Sequence, residues 1–284
     1  MNKNWLITGT SRGFGRSWTQ AALKRGDRVA ACARDTGALR ELHEQFPDAL
    51  LPIALDVTDR EAAFAAVREA HSRFGRLDVV VNNAGYGHFG FVEEITEAEA
   101  RAQLETNLLG ALWVTQAAIP LLRAQGGGHI LQVSSIGGVA AFPNLGIYHS
   151  SKWALEGLSE ALSQEVAGFG IKVTIIEPGG YATDWGRSSA VTSAGHPVYQ
   201  PFRDARAKAL AAMVQPEPDD TAAAMLAVVD ADEPPLRLLL SGAAYDVATG
   251  VYAARLKTWA AWEQISRAAG DPEAGWPGQR RLPA

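Results

Sequence analysis

One cysteine, Cys32, stands in the 284 residues of the chain. A disulfide framework and any multi-cysteine zinc or iron–sulfur site are thereby excluded. Long apolar runs are also missing, and no window approaches the roughly 18 uninterrupted apolar residues of a membrane-spanning helix. The N-terminal stretch MNKNWLITGTSRG turns polar and glycine-bearing by Thr8, too early for a signal-peptide core. Basic residues are not in excess. The 26 Lys+Arg against 31 Asp+Glu leave −5 with neutral histidines, which argues against a nucleic-acid binder relying on a basic surface. No histidine–carboxylate cluster has metal-ligand spacing, so no metal is expected, and no GxSxG nucleophile elbow is present. The expectation is a soluble cytoplasmic protein with a reduced thiol, without membrane insertion.

What is present is a globular composition, 47% apolar and 20% charged, which excludes global disorder. Short apolar runs stand at Trp5–Thr8, Arg28–Ala33, Leu50–Leu55, Leu77–Asn82, His129–Ser134, Ile171–Glu177 and Leu236–Leu240. Most are continuously apolar, as in strands covered on both faces. Helical patterns lie between them at Gly13–Arg25, Thr36–Phe46, Arg60–Phe74, Glu97–Ala124, Leu145–Ala167 and Asp220–Asp230. The alternation reads as βαβ units, hence an α/β fold, doubly wound, with a mostly parallel sheet and helices on both faces. One domain is expected over residues 1–270. Within it, Asp184–Gln215 is long enough to be a functional insertion, read as a substrate lid. The Pro- and Gly-rich residues 271–284 read as a frayed tail. In the helical pattern Tyr245–Ala269, Val247, Val251, Leu256, Trp259, Trp262 and Ile265 are expected to form the buried side.

The first strand runs into Thr8-Gly9-Thr10-Ser11-Arg12-Gly13-Phe14-Gly15 and then a helix. Glycines there permit a tight turn and close approach to a pyrophosphate, while the helix start offers unpaired N–H groups. A dinucleotide site is the expectation. An acidic residue at the end of the second strand would grip a ribose 2′-OH. Here that end offers Arg34, and Arg12 in the glycine turn can reach the same place, which favours NADP(H). Asp35 is the competing residue, and NAD(H) is the alternative should it face the ribose.

Tyr148 and Lys152 stand four apart, on one helical face. A phenol with a pKa of about 10 is a poor base at neutral pH. An ammonium about 4 Å away would be worth about 4 kcal/mol, enough to bring it near neutrality. Ser135 closes the fifth strand and could hydrogen-bond the substrate oxygen. Asn82-Asn83-Ala84-Gly85 closes the fourth, where ligands sit in open α/β sheets. Asn107 lies mid-helix against its propensity, which an interior bond to a backbone carbonyl or a water would explain. His88 and Phe89 read as loop residues at the pocket edge, and His149 as structural. Ile136, Phe142, Leu145, Tyr181 and Trp185 are candidates for an apolar pocket wall.

The motifs TGTSRGFG (8–15), DVT (56–58), NNAG (82–85), Asn107, Ser135, YHSSK (148–152) and PGGYAT (178–183) together resemble the short-chain dehydrogenase/reductase family. The resemblance implies a Rossmann-like, seven-stranded sheet of order 3-2-1-4-5-6-7. It implies Tyr148 as acid/base, Ser135 as substrate-orienting, Lys152 as contact to the nicotinamide ribose, and Asn107 as holder of a relay water. It further implies that Asp56 and Val57 meet the adenine and that Asn83, Ala84 and Gly85 line the cofactor. Pro178, Gly179 and Thr183 would surround the carboxamide. The long C-terminal part resembles the branch of 17β-hydroxysteroid and retinol dehydrogenase-like proteins. A homodimer through the helices near 97–124 and 145–168 is also implied, with Leu104, Leu108, Leu112, Leu155, Leu158 and Leu162 striping them. The expectation is an NADP(H)-dependent reductase of a bulky or hydrophobic ketone or aldehyde. An NAD-dependent alcohol dehydrogenase of the same fold and a non-catalytic dinucleotide-sensing regulator are the alternatives.

Overall fold

A computed structural model describes residues 2–183, 190–211 and 214–270. The chain opens with β1 (Asn4–Thr8), α1 (Gly13–Arg25), β2 (Arg28–Ala33), α2 (Arg40–Gln45), β3 (Leu50–Ala54), α3 (Arg60–Phe74) and β4 (Val79–Asn82). A two-residue strand, β5 (His88–Phe89), precedes α4 (Glu97–Leu104), α5 (Gly110–Ala124), β6 (Gly128–Val133), α6 (Gly146–Val166) and β7 (Ile171–Pro178). Then come β8 (Val191–Thr192), α7 (Gln200–Ala211), α8 (Ala222–Asp230), β9 (Arg237–Leu240), α9 (Gly242–Ala261) and α10 (Glu263–Ala268).

Seven strands form one sheet in the order β3-β2-β1-β4-β6-β7-β9, and every pairing is parallel. Counting that sheet's strands alone, this is the expected 3-2-1-4-5-6-7. The continuous apolar strands are explained by burial on both faces. Along β1, Leu6 packs with Val114 and Leu122 of α5 and Leu162 of α6 on one side. Trp5 and Ile7 pack on the other with Trp18 and Leu23 of α1 and Met225 of α8. On this second face, buried indoles also make polar bonds. Trp5 donates to Asp27 at 2.8 Å and Trp18 to Thr221 at 2.7 Å.

Three expectations change. The helix 97–124 is interrupted by a π-helical turn, Glu105–Leu109, which sets Asn107. The pattern 36–46 begins as a 3₁₀ turn before α2. The C-terminal helix does not bury its aromatic side: Leu256, Trp259 and Trp262 are 60%, 61% and 59% exposed. α9 buries Ala244 and Ala248 near its start, and further along Arg255 donates to the Val139 carbonyl at 2.7 Å and lies over Trp153 of α6. The 184–215 excursion carries β8 and α7, and β8 pairs with β5 in a second, two-stranded sheet. Trp185 and the tail 271–284 lie outside the described residues. Among the described residues, no helix is long and apolar enough to cross a membrane.

Candidate active site

β1 and β4 are neighbours whose following connections diverge, so a crevice opens at their C-terminal ends. The glycine turn after β1 stands at this crevice. Gly9 and Gly13 take positive φ of 71° and 56°. A Cβ on Gly13 would first meet Thr183 at 3.7 Å, so this glycine and Thr183 face each other. Gly15 is different: its Cβ would lie 2.3 Å from the Gly9 carbonyl and 2.6 Å from the Asn83 amide. It permits α1 to close on the turn. Arg12 precedes the helix without a side-chain cap, and the first turn carries no acidic residue, which suits an anion. Ser11 is half-buried in the turn. Phe14 is stacked on Trp18 at 5.2 Å and edge-on to Tyr181 at 5.1 Å. Tyr181 thus joins this aromatic cluster.

NNAG locks to the turn. The Asn83 side chain donates to the Thr8 and Gly9 carbonyls at 2.9 and 3.0 Å, and the Asn83 and Ala84 N–H groups donate to the Thr8 hydroxyl. Asn83 thus holds the two strand ends together. A Cβ on Gly85 would lie 3.1 Å from Asn107 Oδ1 and 3.6 Å from Lys152 Nζ, so glycine leaves that approach open. Across the crevice, Arg34 is exposed at the end of β2. Asp35 caps the next turn, accepting from Gly37 N–H at 2.8 Å. Asp56 is exposed and turned onto Thr58. The Thr58 N–H and hydroxyl, with Arg34 nearby, outweigh burial and hold its carboxyl below the usual range. Val57 is buried against Gly110 of α5. Pro178 and Gly179 end β7 and turn, and Gly179 leaves room for the Ser241 hydroxyl, which a Cβ would approach to 2.7 Å. The open α1 terminus, the two left-handed glycines and the clear approach at Gly85 fit a dinucleotide laid along this crevice.

Tyr148, Lys152, Ser135 and Asn107 converge beside it. Tyr148 and Lys152 are each 5% exposed. The phenol is hydrogen-bonded to the Ser135 hydroxyl, which itself accepts from Gly137 N–H at 3.0 Å. Lys152 Nζ donates to the Val133 carbonyl at 2.7 Å and lies 5.9 Å from the Tyr148 ring centre. The ammonium is thus directed to the strand end, and the electrostatic expectation is corrected. Burial pushes the Tyr148 phenol up to about 12 against the Ser135 bond, and pushes Lys152 down to about 8 against the pull of Glu156. Asn107 does bond a backbone carbonyl. Its side chain donates to Tyr86 O at 3.0 Å and Ser151 Oγ at 3.1 Å and accepts from Tyr86 N–H at 3.0 Å. The π turn lets this asparagine clamp the 86 loop to α6.

With this geometry in place, a family profile described as short chain dehydrogenase matches residues 3–194. The chain belongs to the short-chain dehydrogenase/reductase family. It is accordingly a nicotinamide-dependent oxidoreductase. It is 45% identical to "Oxidoreductase BOA17" of Botryotinia fuckeliana, over 87% of this chain and 92% of that one. It is 34% identical to an NADPH-dependent 3-dehydrocapnine reductase of Ornithobacterium rhinotracheale, over 68% and 69% of the two chains. A short-chain dehydrogenase crystal structure from Streptomyces avermitilis superposes with a TM-score of 0.89 at 40% identity, covering 94% of this chain and 98% of that one.

In this short-chain dehydrogenase/reductase, of the residues expected at the pocket wall, Ile136 is half-buried, Leu145 is buried, and Phe142 is 39% exposed and edge-on to His149. Buried His149 accepts from Phe142 N–H, as befits a structural role. The residues that sequence reasoning missed fasten the excursion to the segment from His88 to Glu99. His88 is not a loop residue: it is fully buried in β5 and bonds Ser193 at 2.8 Å. Ser193 in turn donates to Glu99 at 3.1 Å. Arg203 of α7 grips the Glu94 carboxylate, which also accepts from the His196 and Phe91 N–H groups. Arg203 chiefly, with those N–H groups, outweighs burial and holds Glu94 down at about 2. Phe91 stacks on Tyr199 at 3.8 Å between ring centres. These partners lie about a hundred residues apart, and no local spacing announces them.

Proposed function

We propose that this enzyme is an NADP(H)-dependent reductase of bulky or hydrophobic ketones or aldehydes, and that the same residues serve the reverse oxidation of a secondary alcohol. The observation that carries it is the convergence of Tyr148, Ser135, Lys152 and Asn107 at the β1/β4 crevice. When bound, the nicotinamide coenzyme supplies the hydride for the carbonyl carbon. Ser135 and Tyr148 hold the carbonyl oxygen, and Tyr148 delivers the proton. Lys152 meets the ribose. Asn107 fixes the loop on which Gly85 stands, and a relay water beside it is part of the reading.

The preference for NADP(H) over NAD(H) rests on Arg34 and Arg12 at the rim where a 2′-phosphate would lie. It is supported by Asp35, whose carboxylate is turned to Gly37 and away from a ribose-gripping role. The apolar side chains of Ile136 and Leu145, near which Arg206 of α7 donates to the Pro143 carbonyl at 3.3 Å, support a hydrophobic substrate. Within the family we place the chain nearest the 17β-hydroxysteroid and retinol dehydrogenase-like branch because of its long C-terminal part. We take it to be a cytoplasmic homodimer, since Leu104, Leu108, Leu112 and Leu158 remain only half-buried on the outer sides of the helices from α4 to α6. The test is a panel of ketones and aldehydes followed by loss of NADPH absorbance, beside separate titrations with NADPH and NADH. Equal affinity for the two would remove the arginine argument, and no turnover across aliphatic and aromatic carbonyls would remove the reductase reading.

A further inference from the structure

The end of β6 is held by one face of α6, residue by residue. Tyr148 takes the Ser135 hydroxyl and, one turn on, Lys152 takes the Val133 carbonyl. One further turn on stands Glu156, and between those two anchor points on the strand lies Ser134. The Glu156 carboxyl lies against the Ser134 hydroxyl. A Cβ on Gly138 would come within 2.5 Å of Ser134 Oγ and 3.0 Å of Glu156 Oε1, so only glycine leaves room for the pair. Three consecutive residues of the strand end thus meet three consecutive turns of the helix.

Glu156 is not alone. Glu177 of β7 lies against it, and both side chains are nearly inaccessible, 8% and 2% exposed. Arg237 of β9 donates to Glu156 Oε2 at 3.0 Å and to Glu160 at 2.7 Å, and approaches Glu177 Oε1 at 3.6 Å. Among the described residues, Ser134 Oγ, Glu156 Oε1 and Glu177 Oε1 have no well-aligned hydrogen-bond partner. Two carboxyls confined with one guanidinium cannot both ionise freely. Burial raises both, and the nearness of Glu156 raises Glu177 further. Arg237 stands closer to Glu156, at 3.0 Å against 3.6 Å, which favours the Glu156 carboxylate, while burial and Glu156 push Glu177 up to about 8. The charged and titratable groups around Glu156 are Lys152, Tyr148 and Glu160 from its own helix, Glu177 from β7 and Arg237 from β9. Of these, Lys152 belongs to the acid–base machinery, and Glu156 is the group that opposes its discharge by burial.

We propose that Glu156 is a positioning residue for the reaction: its carboxylate, one helical turn behind Lys152 and held by Arg237, keeps that buried lysine an ammonium pointed at Val133. The inference rests on the assignment of Lys152 above, but its test reads a titration and not turnover, so either can fail alone. The full-length, coenzyme-free protein is labelled with [13Cε]lysine and titrated by NMR, the Lys152 signal being the one lost in Lys152→Arg. In Glu156→Gln the Lys152 midpoint falls by about one pH unit. In Glu177→Gln, which leaves the Glu156 charge in place, it does not fall. An unmoved midpoint in Glu156→Gln, or an equal fall in Glu177→Gln, overturns the proposal. Should Glu156→Gln fail to fold, Glu156→Asp draws the carboxylate back by one methylene, and an unmoved midpoint there overturns it too.

Discussion

The glycine turn invites a three-way comparison. Gly15→Ala would place a methyl 2.3 Å from the Gly9 carbonyl oxygen and 2.6 Å from the Asn83 amide. Backbone cannot swing aside, so the penalty lies at the upper end of overpacking, about 3 kcal/mol. For a domain of this size that is a fall of roughly 6–12 °C in melting temperature. Gly13→Ala meets nothing closer than 3.7 Å, and only its positive φ of 56° is strained. The expected loss is about 1 kcal/mol, or roughly 2–4 °C. Its methyl would project between the turn and Thr183, however, where the phosphates are assigned. NADPH affinity should fall at least about tenfold, or about 1.4 kcal/mol. Gly75→Ala supplies the control: its φ is 81°, open space surrounds it, and it ends α3 far from the crevice. It should melt like Gly13→Ala and bind NADPH like the parent. Thermal melting and fluorescence titration with NADPH decide the matter. If Gly13→Ala binds as tightly as Gly75→Ala, the turn does not hold the phosphates. If Gly15→Ala melts with Gly75→Ala, the packing argument is wrong.

Tyr148→Phe should keep NADPH binding and lower turnover by about 10²–10⁴; unimpaired turnover would remove Tyr148 from the chemistry. Arg34→Ala should weaken NADPH about tenfold and NADH by less than about twofold, with the difference shrinking in high salt; parallel losses would refute the 2′-phosphate role. The Glu94–Arg203 grip has a pH signature. Glu94 is held at about 2 against an ordinary 4.5, so its stabilisation is present above pH 4.5 and is lost as pH falls toward 2. Limited proteolysis of the 190–211 region should rise across that window, and Arg203→Met should show the higher cleavage already at neutral pH. Cleavage independent of pH in the parent and unchanged in the variant would show that the grip does not hold the excursion.

The scaffold was legible because its strands are buried on both faces. A run such as Trp-Leu-Ile at β1 has no amphipathic alternation to confuse with a surface strand, and its residues divide between two cores. That Tyr148 and Lys152 share one helical face was legible from spacing, since four residues is one helical turn; their chemistry was read only together with Ser135 and Asn107. What spacing could not supply was direction. The ammonium of Lys152 bonds a strand carbonyl and not the phenol, which depends on how α6 meets β6. Asn107 carried the one local hint of irregularity, a poor helix former mid-helix, and the π turn answers to it. The exposed Trp259 and Trp262 went the other way: an apolar spacing was present with nothing among the described residues to cover it. The grips of Arg203 on Glu94 and Ser193 on Glu99 are tertiary encounters between residues whose local patterns say only that they are polar.

The charge state of Tyr148 also bears on the direction of the proposed reaction. With the phenol pushed up to about 12 by burial, the phenolate is the scarce form at neutral pH. As a base for alcohol oxidation that form is scarce, and its scarcity would subtract from the rate unless the cationic nicotinamide ring offsets burial. As an acid the neutral phenol is already in place, and proton transfer to an alkoxide remains downhill. Reduction therefore starts from the resting protonation state, and oxidation has to create its reactive form. The two directions should then differ in pH dependence. The reductive rate should be flat through neutrality and fall as Lys152 loses its proton near 8, whereas the oxidative rate should climb with pH over the same interval. Measuring both with one carbonyl–alcohol pair checks this. An oxidative rate as flat as the reductive one from pH 6 to 8 would mean that the phenol is not the group exchanging the proton.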